Sequence, residues 1–194
     1  MSHVFTRTMQ SCVAVLGLSL GATVGAQAGP AVPAAPSSPP PAVGEKAPDF
    51  TAAWADSSGI KATPLALKSL KGKVVVLAFY PIDRSRGCTI ELQKFRDDYA
   101  TLFGEGVVVL PTSIDSLESH VSWAKDAKFP FSMIADPKQE LATKYGSNGA
   151  KYSKRTIFVI GKDGKIAFEN MSFSVNTQEQ WDILAAEIKK AKGA

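Results

Sequence analysis

The chain has 194 residues, with 22 Lys and Arg against 18 Asp and Glu, and a formal net charge of +4 at pH 7. That length suits one domain of ordinary size, and scattered lysines without aromatic stacking partners exclude a nucleic-acid surface. Two cysteines, Cys12 and Cys88, and two histidines, His3 and His120, form no cluster with metal-ligand spacing, so neither a metal nor another cofactor is expected.

Residues 1–28 read as a cleaved secretory signal peptide. A weakly basic start holding Arg7 is followed by an apolar stretch over residues 13–24, and Ala26-Gln27-Ala28 forms an A-x-A cleavage signal before Gly29. The apolar stretch falls short of the roughly 20 residues that span a bilayer as a helix, so no stable membrane insertion is expected. Cys12 lies ahead of it, on the wrong side to be a lipid-attachment cysteine. Export to the bacterial periplasm follows as the expected location. Cleavage removes Arg7 and lowers the charge from +4 to +3.

Residues 29–43 carry Pro30, Pro33, Pro36, Pro39, Pro40 and Pro41 among Ala and Ser, without charge or apolar periodicity. That composition predicts an extended, polyproline-like linker, and residues 44–194 remain as the folded domain.

Within the domain, residues 49–54 and 60–64 flank Asp56-Ser57-Ser58-Gly59 and predict a short hairpin. Residues 74–80 form a near-continuous apolar run, the pattern of a strand buried on both faces. Helical spacing of Ile90, Leu92, Phe95, Tyr99 and Leu102 predicts a helix over residues 87–103, stopped by Gly104. A second buried strand covers residues 107–110, and a helix covers residues 116–127. Residues 131–135 predict a short strand, after which Asp136-Pro137 opens a helix reaching Tyr145 and ending at Gly146. Residues 156–160 and 165–169 flank Lys162-Asp163-Gly164 as a hairpin, and residues 177–190 close the chain as an amphipathic helix with Trp181, Leu184 and Ile188 on one face. Strands alternating with helices and finished by a hairpin imply an α/β fold whose central sheet is covered on both sides.

Cys88 is the one cysteine of the mature chain. It lies where a strand ending at Pro81 hands over to a helix opening around Gly87. A thiol in the first turn of a helix faces unpaired backbone N–H groups and the positive end of the dipole, and both favour the nucleophilic thiolate. A lone thiol in an oxidising compartment invites pairing or reactivity. Read singly, the neighbouring residues are ambiguous. Arg155 also suits a strand end, Glu91 a helix first turn and Arg86 a solvated loop. His120 falls in a helical pattern without a matching partner, and Trp54, Trp123 and Trp181 read as packing residues.

The text around Cys88 resembles the active-site loop of peroxiredoxins of the AhpC/TSA (thiol-specific antioxidant) family, in particular the Q-type or bacterioferritin comigratory branch. The family's Pro-x-x-x-Thr/Ser-x-x-Cys loop is met by Pro81, Ser85 and Cys88. Phe79-Tyr80-Pro81, Gly87-Cys88-Thr89-Ile90-Glu91 and the opening from Gly44 to Phe50 also fit. So do Phe131 through Asp136-Pro137, and Arg155 through Ile160 ahead of Asp163-Gly164-Lys165. The resemblance implies a thioredoxin-like fold, with a central mixed sheet flanked by helices and the hairpin at its N-terminal side.

It also implies roles. Cys88 would be the peroxidatic nucleophile, with Arg155 reaching it from a neighbouring strand. Pro81 would shield the pocket from water, Ser85 would hydrogen-bond the peroxide and Glu91 would hold an arginine. Serine in place of the commoner threonine at Ser85 loses a methyl that limits rotation of the hydroxyl. Many relatives carry a second cysteine five residues after the first; Gln93 stands there in this chain. The implied activity is reduction of hydrogen peroxide and organic hydroperoxides through a cysteine sulfenic acid. An external thiol of thioredoxin, glutaredoxin or glutathione type would reset it, and the protein would act as a monomer or weak homodimer. The alternative is a peroxide sensor or relay that forms mixed disulfides with a partner protein. A thioredoxin-type oxidoreductase is disfavoured, because it needs Cys-x-x-Cys and position 91 is Glu.

Overall fold

The computed structural model describes residues 38–193; the expected signal peptide and most of the expected linker lie outside them. The strands in chain order are β1 (Thr51–Ala52), β2 (Trp54–Asp56), β3 (Gly59–Ile60), β4 (Leu65–Ala66), β5 (Val74–Phe79), β6 (Val107–Ser113), β7 (Met133–Ala135), β8 (Thr156–Ile160) and β9 (Ile166–Asn170). The helices are α1 (Arg86–Asp97), α2 (Leu117–Ala127), α3 (Glu140–Lys144) and α4 (Gln178–Gly193). Seven strands form one mixed sheet in the order β3-β2-β7-β6-β5-β8-β9. β5 runs parallel to β6 and antiparallel to β8.

The apolar text of β5 explains its central place. Every one of its residues is buried, and alternate side chains of a strand point to opposite faces. Val74, Val76 and Ala78, with Tyr80 beyond them, pack with Cys88, Leu92 and Phe95 of α1, Trp123 of α2, and Trp181, Leu184 and Ile188 of α4. Val75, Leu77 and Phe79 face Phe50, Leu110, Leu141, Tyr145 and Phe158 on the other side. At about 1.5–3 kcal/mol for each fully buried Val, Leu or Phe, this strand is a principal anchor of both layers, and α1 leaves directly from its end.

Several elements depart from the sequence expectations. The turn at residues 56–59 forms, but only Gly59–Ile60 pairs back on β2; Leu65–Ala66 pairs with β1 instead. β6 continues through Pro111, where the pattern had suggested a stop. β7 pairs with β6 only from Thr112 onward, so no neighbouring strand requires the missing Pro111 N–H. The long helix expected over residues 87–103 is α helix only to Asp97 and ends in a π turn, Tyr99–Phe103, before Gly104 at φ +61°. Asp136 does cap a helix, accepting from Leu141 N at 3.1 Å and Ala142 N at 2.8 Å. That helix starts only at Glu140, because Gln139 adopts a left-handed φ of +54°.

Residues 38–43, the last of the proline-rich stretch, are part of the described structure, and Pro41 is buried. Ser38 and Pro40 lie so close to Gly146 that a Cβ there would stand 2.9 Å from Pro40 N. Gly146 therefore serves both its own left-handed φ and this contact.

Candidate active site

The strand-to-helix junction after β5 builds the site. Ser85 is the N-cap of α1 in extended conformation, and its carbonyl accepts from Thr89 N at 2.8 Å. Its hydroxyl makes no capping bond. Cys88 is the third residue of the helix, fully buried, and the only free cysteine among the described residues. It belongs to the buried apolar cluster that also holds Tyr80, Leu92 and Phe173.

Arg155 immediately precedes β8. The antiparallel register sets Thr156 opposite Phe79, so Arg155 emerges beside the end of β5. Its carbonyl accepts from Phe173 N at 3.1 Å. From there Nη2 donates to Cys88 Sγ at 3.3 Å, and Nη1 donates to Glu91 Oε2. One guanidinium thus bridges the thiol and a carboxylate one helical turn away, which its planar fork allows.

Glu91 is fully buried, and its Oε1 has no hydrogen-bond partner. Burial pushes its carboxyl up to about 7 against the opposing pull of the Arg155 charge and hydrogen bond. Arg155 is shifted upward as well: its own burial opposes this, and the Glu91 charge, followed by Cys88, outweighs it. Glu91 can therefore change charge near neutrality while Arg155 stays a cation.

The structure brings Cys88, Arg155 and Glu91 into direct contact. Ser85 and Pro81 lie on the same loop, both half-buried, Ser85 at the helix start and Pro81 at the strand end. Arg86 points outward and is exposed. With Gly87, Ile90, Val175 and Asn176 it lines a shallow groove over the first turn of α1.

Two features escaped the sequence reading. A Cβ at Gly87 would sit 3.1 Å from Arg155 Nη2, so the glycine makes room for the guanidinium. His120, which lacked a partner in the sequence, is fully buried and places Nδ1 3.0 Å from Asp83 Oδ2. It does not contact the sulfur. Among the described residues, no group of three or more His, Cys, Asp or Glu side chains could hold a metal ion, and no helix is long and apolar enough to cross a membrane.

A thiol in a helix first turn with a bridging arginine, on a covered mixed sheet, agrees with the family comparison. Residues 43–169 match the AhpC/TSA family. The chain belongs to that family. This peroxiredoxin is 38% identical over 133 residues to a Coxiella burnetii protein assigned as a Bcp peroxiredoxin, covering 64% of this chain and 85% of that one. It is 31% identical over 135 residues to peroxiredoxin Bcp of Bacillus subtilis, covering 66% and 83%. Peroxidoxin BcpB of Mycobacterium tuberculosis superposes with a TM-score of 0.65 at 29% identity, over 76% of this chain and 96% of that one. The fold is thioredoxin-like, and the activity is that of a thiol-dependent peroxidase.

Proposed function

We propose that Cys88 is the peroxidatic nucleophile and that Arg155, Glu91, Ser85 and Pro81 form its site. The observation that carries this reading is the Arg155 Nη2 donor 3.3 Å from Cys88 Sγ. Thiolate sulfur attacks one peroxide oxygen, the O–O bond breaks, and the departing oxygen leaves with the bonding pair and takes up a proton. Sulfur is oxidised to the sulfenic acid, and the peroxide is reduced to water or an alcohol. Such a step needs donors aimed at the developing charge. Arg155 supplies them from a permanent cation. Glu91 holds the guanidinium across the helix turn. Ser85, whose hydroxyl is not used as a cap, can donate to one peroxide oxygen and accept from the other. Pro81 walls the strand end of the pocket.

Gln93 stands where a resolving thiol would sit, so an external thiol attacks the sulfenic sulfur and expels water. A second thiol then releases Cys88 and leaves with the first as a disulfide. A thioredoxin-, glutaredoxin- or glutathione-like donor fits this chemistry. The apolar residues 13–24 and the Ala26-Gln27-Ala28 signal support action after export to the periplasm.

The test is peroxide consumption against a panel of thiol donors, with Cys88→Ser as control. Sustained turnover that Cys88→Ser abolishes is the expected result. One stoichiometric oxidation followed by a trapped mixed disulfide with a partner protein would replace the enzyme reading by the relay. Turnover unaffected by Cys88→Ser would overturn the assignment of the nucleophile.

A further inference from the structure

We infer that Asp83 and His120 are positioning residues for Cys88: a buried carboxylate–imidazole pair that clamps the loop carrying Pro81 and Ser85. The inference rests on Cys88 being the reacting thiol.

Asp83 lies midway between the end of β5 and the start of α1, two residues before the helix cap. Its side chain is 4% exposed and that of His120 is 0% exposed. Three donors converge on this one carboxylate. Tyr80 Oη donates to Oδ1 at 2.6 Å, Ser119 Oγ donates to Oδ2 at 2.6 Å, and His120 Nδ1 lies 3.0 Å from Oδ2. The backbone of the same residue is held too, Asp83 N donating to Asp115 Oδ2 at 2.8 Å. The strand end, the turn after β6 and the first turn of α2 therefore all grip one loop residue.

The next residue shows what the grip sustains. Arg84 sits at φ +59°, a left-handed conformation that ordinary residues avoid. It is tied to α2 by Nη2 bonds to Asp126 at 2.6 Å and Ser122 at 3.0 Å. A non-glycine residue persists in this region when its surroundings over-determine it, commonly beside a functional site.

The imidazole extends the clamp to a second element. Nδ1 faces Asp83 Oδ2, and Nε2 faces the Ile134 carbonyl at 3.2 Å. The ring thus spans from the loop carboxylate to the backbone of β7. For Asp83, burial works against ionisation, but the His120 bond and charge, with Ser119 and Tyr80, outweigh it and hold the carboxyl below its usual range. Asp115 is the second carboxylate of the network, accepting from Asp83 N and from Ser113 Oγ, each at 2.8 Å. On α2 itself Glu118, Lys125 and Asp126 are exposed. α2 packs on β2, β3 and β7. β2 carries Asp56, paired with Lys61 at 2.8 Å, while β3 and β7 carry no titratable side chain. Asp136, just after β7, is committed to capping α3.

The experiment measures sulfenic acid formation at Cys88 in single turnover, from pH 5 to 9, in the parent, Asp83→Asn, His120→Asn and Ser119→Ala proteins, beside their thermal unfolding. The expected result is a rate constant lowered on the order of tenfold or more in the first two variants, since small misplacement of reacting groups carries penalties of this kind. Ser119→Ala, which removes one donor without stranding a charge, slows the step less and keeps the unfolding temperature close to the parent's. In variants that keep the parental unfolding temperature, the rate constant is lowered across the whole pH range. Folded variants with parental rate constants across that pH range would overturn the inference. If Asp83→Asn fails to fold, the rate constants of Ser119→Ala and His120→Asn decide. Absence of sulfenic acid in the parent would instead overturn the nucleophile assignment on which the inference stands.

Discussion

Replacing Arg155 by methionine removes two donors at once, one to Cys88 Sγ at 3.3 Å and one to Glu91. The two losses have different consequences. Losing a preorganised donor from the reacting atoms costs about 100- to 1000-fold in rate, or roughly 3–4 kcal/mol of activation free energy. Losing the partner of a buried carboxylate costs about 3–5 kcal/mol of stability if the charge stays. Glu91 can evade that cost by protonation, because burial already pushes its carboxyl to about 7.

The stability loss in Arg155→Met is therefore pH-dependent. Below about pH 6 Glu91 is largely neutral in parent and variant alike, and the difference is small. Above about pH 7 the parent carboxyl ionises against Arg155, whereas the variant holds it neutral and loses about 1.4 kcal/mol per further pH unit. Thermal unfolding at pH 6 and pH 8 reads this divergence. Single-turnover oxidation by quenched flow reads the rate. Adding Glu91→Gln to Arg155→Met removes the stranded carboxyl, so the double variant regains stability at pH 8 but not the rate. A single-turnover rate within about twofold of the parent in folded Arg155→Met would refute the direct role of the guanidinium, since the donor loss is worth at least a hundredfold.

Glu91→Gln alone isolates the carboxylate titration. The folded-state value, about 7, lies above the 4.5 of the free side chain, so folding favours the neutral form; that contribution is full below about pH 4.5 and lost as pH rises through about 7. Glu91→Gln removes this slope, about 3 kcal/mol across the window, and chemical denaturation at pH 4.5 and 8 measures it; an undiminished slope contradicts the buried carboxyl as its source. Gly87→Ala sets a Cβ 3.1 Å from Arg155 Nη2, displacing the guanidinium. The rate should fall about tenfold while the unfolding temperature holds or rises, because alanine suits a helix better; parental rates would show that the guanidinium tolerates the shift. With no second thiol among the described residues to capture it, the Cys88 sulfenic acid should advance to sulfinic acid in excess peroxide. Intact mass with and without added thiol tests this, and a product that stops at the sulfenic stage contradicts it.

How much of this was legible in the sequence varied with the distance over which information had to travel. The run at Val74–Phe79 announced a doubly buried strand because its neighbours on both faces are apolar. α4 likewise declared its buried stripe of Trp181, Leu184 and Ile188. β6 was cut short at Pro111 because a proline inside a strand is harmless only when no partner needs its N–H. That depended on where β7 begins to pair. The start of α3 was missed because Asp136 caps from a distance across a left-handed Gln139. The thiol at a helix start was visible locally, but its arginine lies 67 residues away and was reachable only through resemblance to a family. The Asp83–His120 contact spans 37 residues, and a buried acid–imidazole pair leaves no local pattern in either segment.

Cys88 takes one oxygen atom from a peroxide. The most direct test is stoichiometric hydrogen peroxide followed by a dimedone-type probe, with intact mass and peptide mapping to separate Cys88 from Cys12. A single adduct mapped to Cys88, absent in Cys88→Ser and suppressed by prior thiol, is the predicted result. Full recovery of an unmodified Cys88 thiol after peroxide treatment would contradict the account.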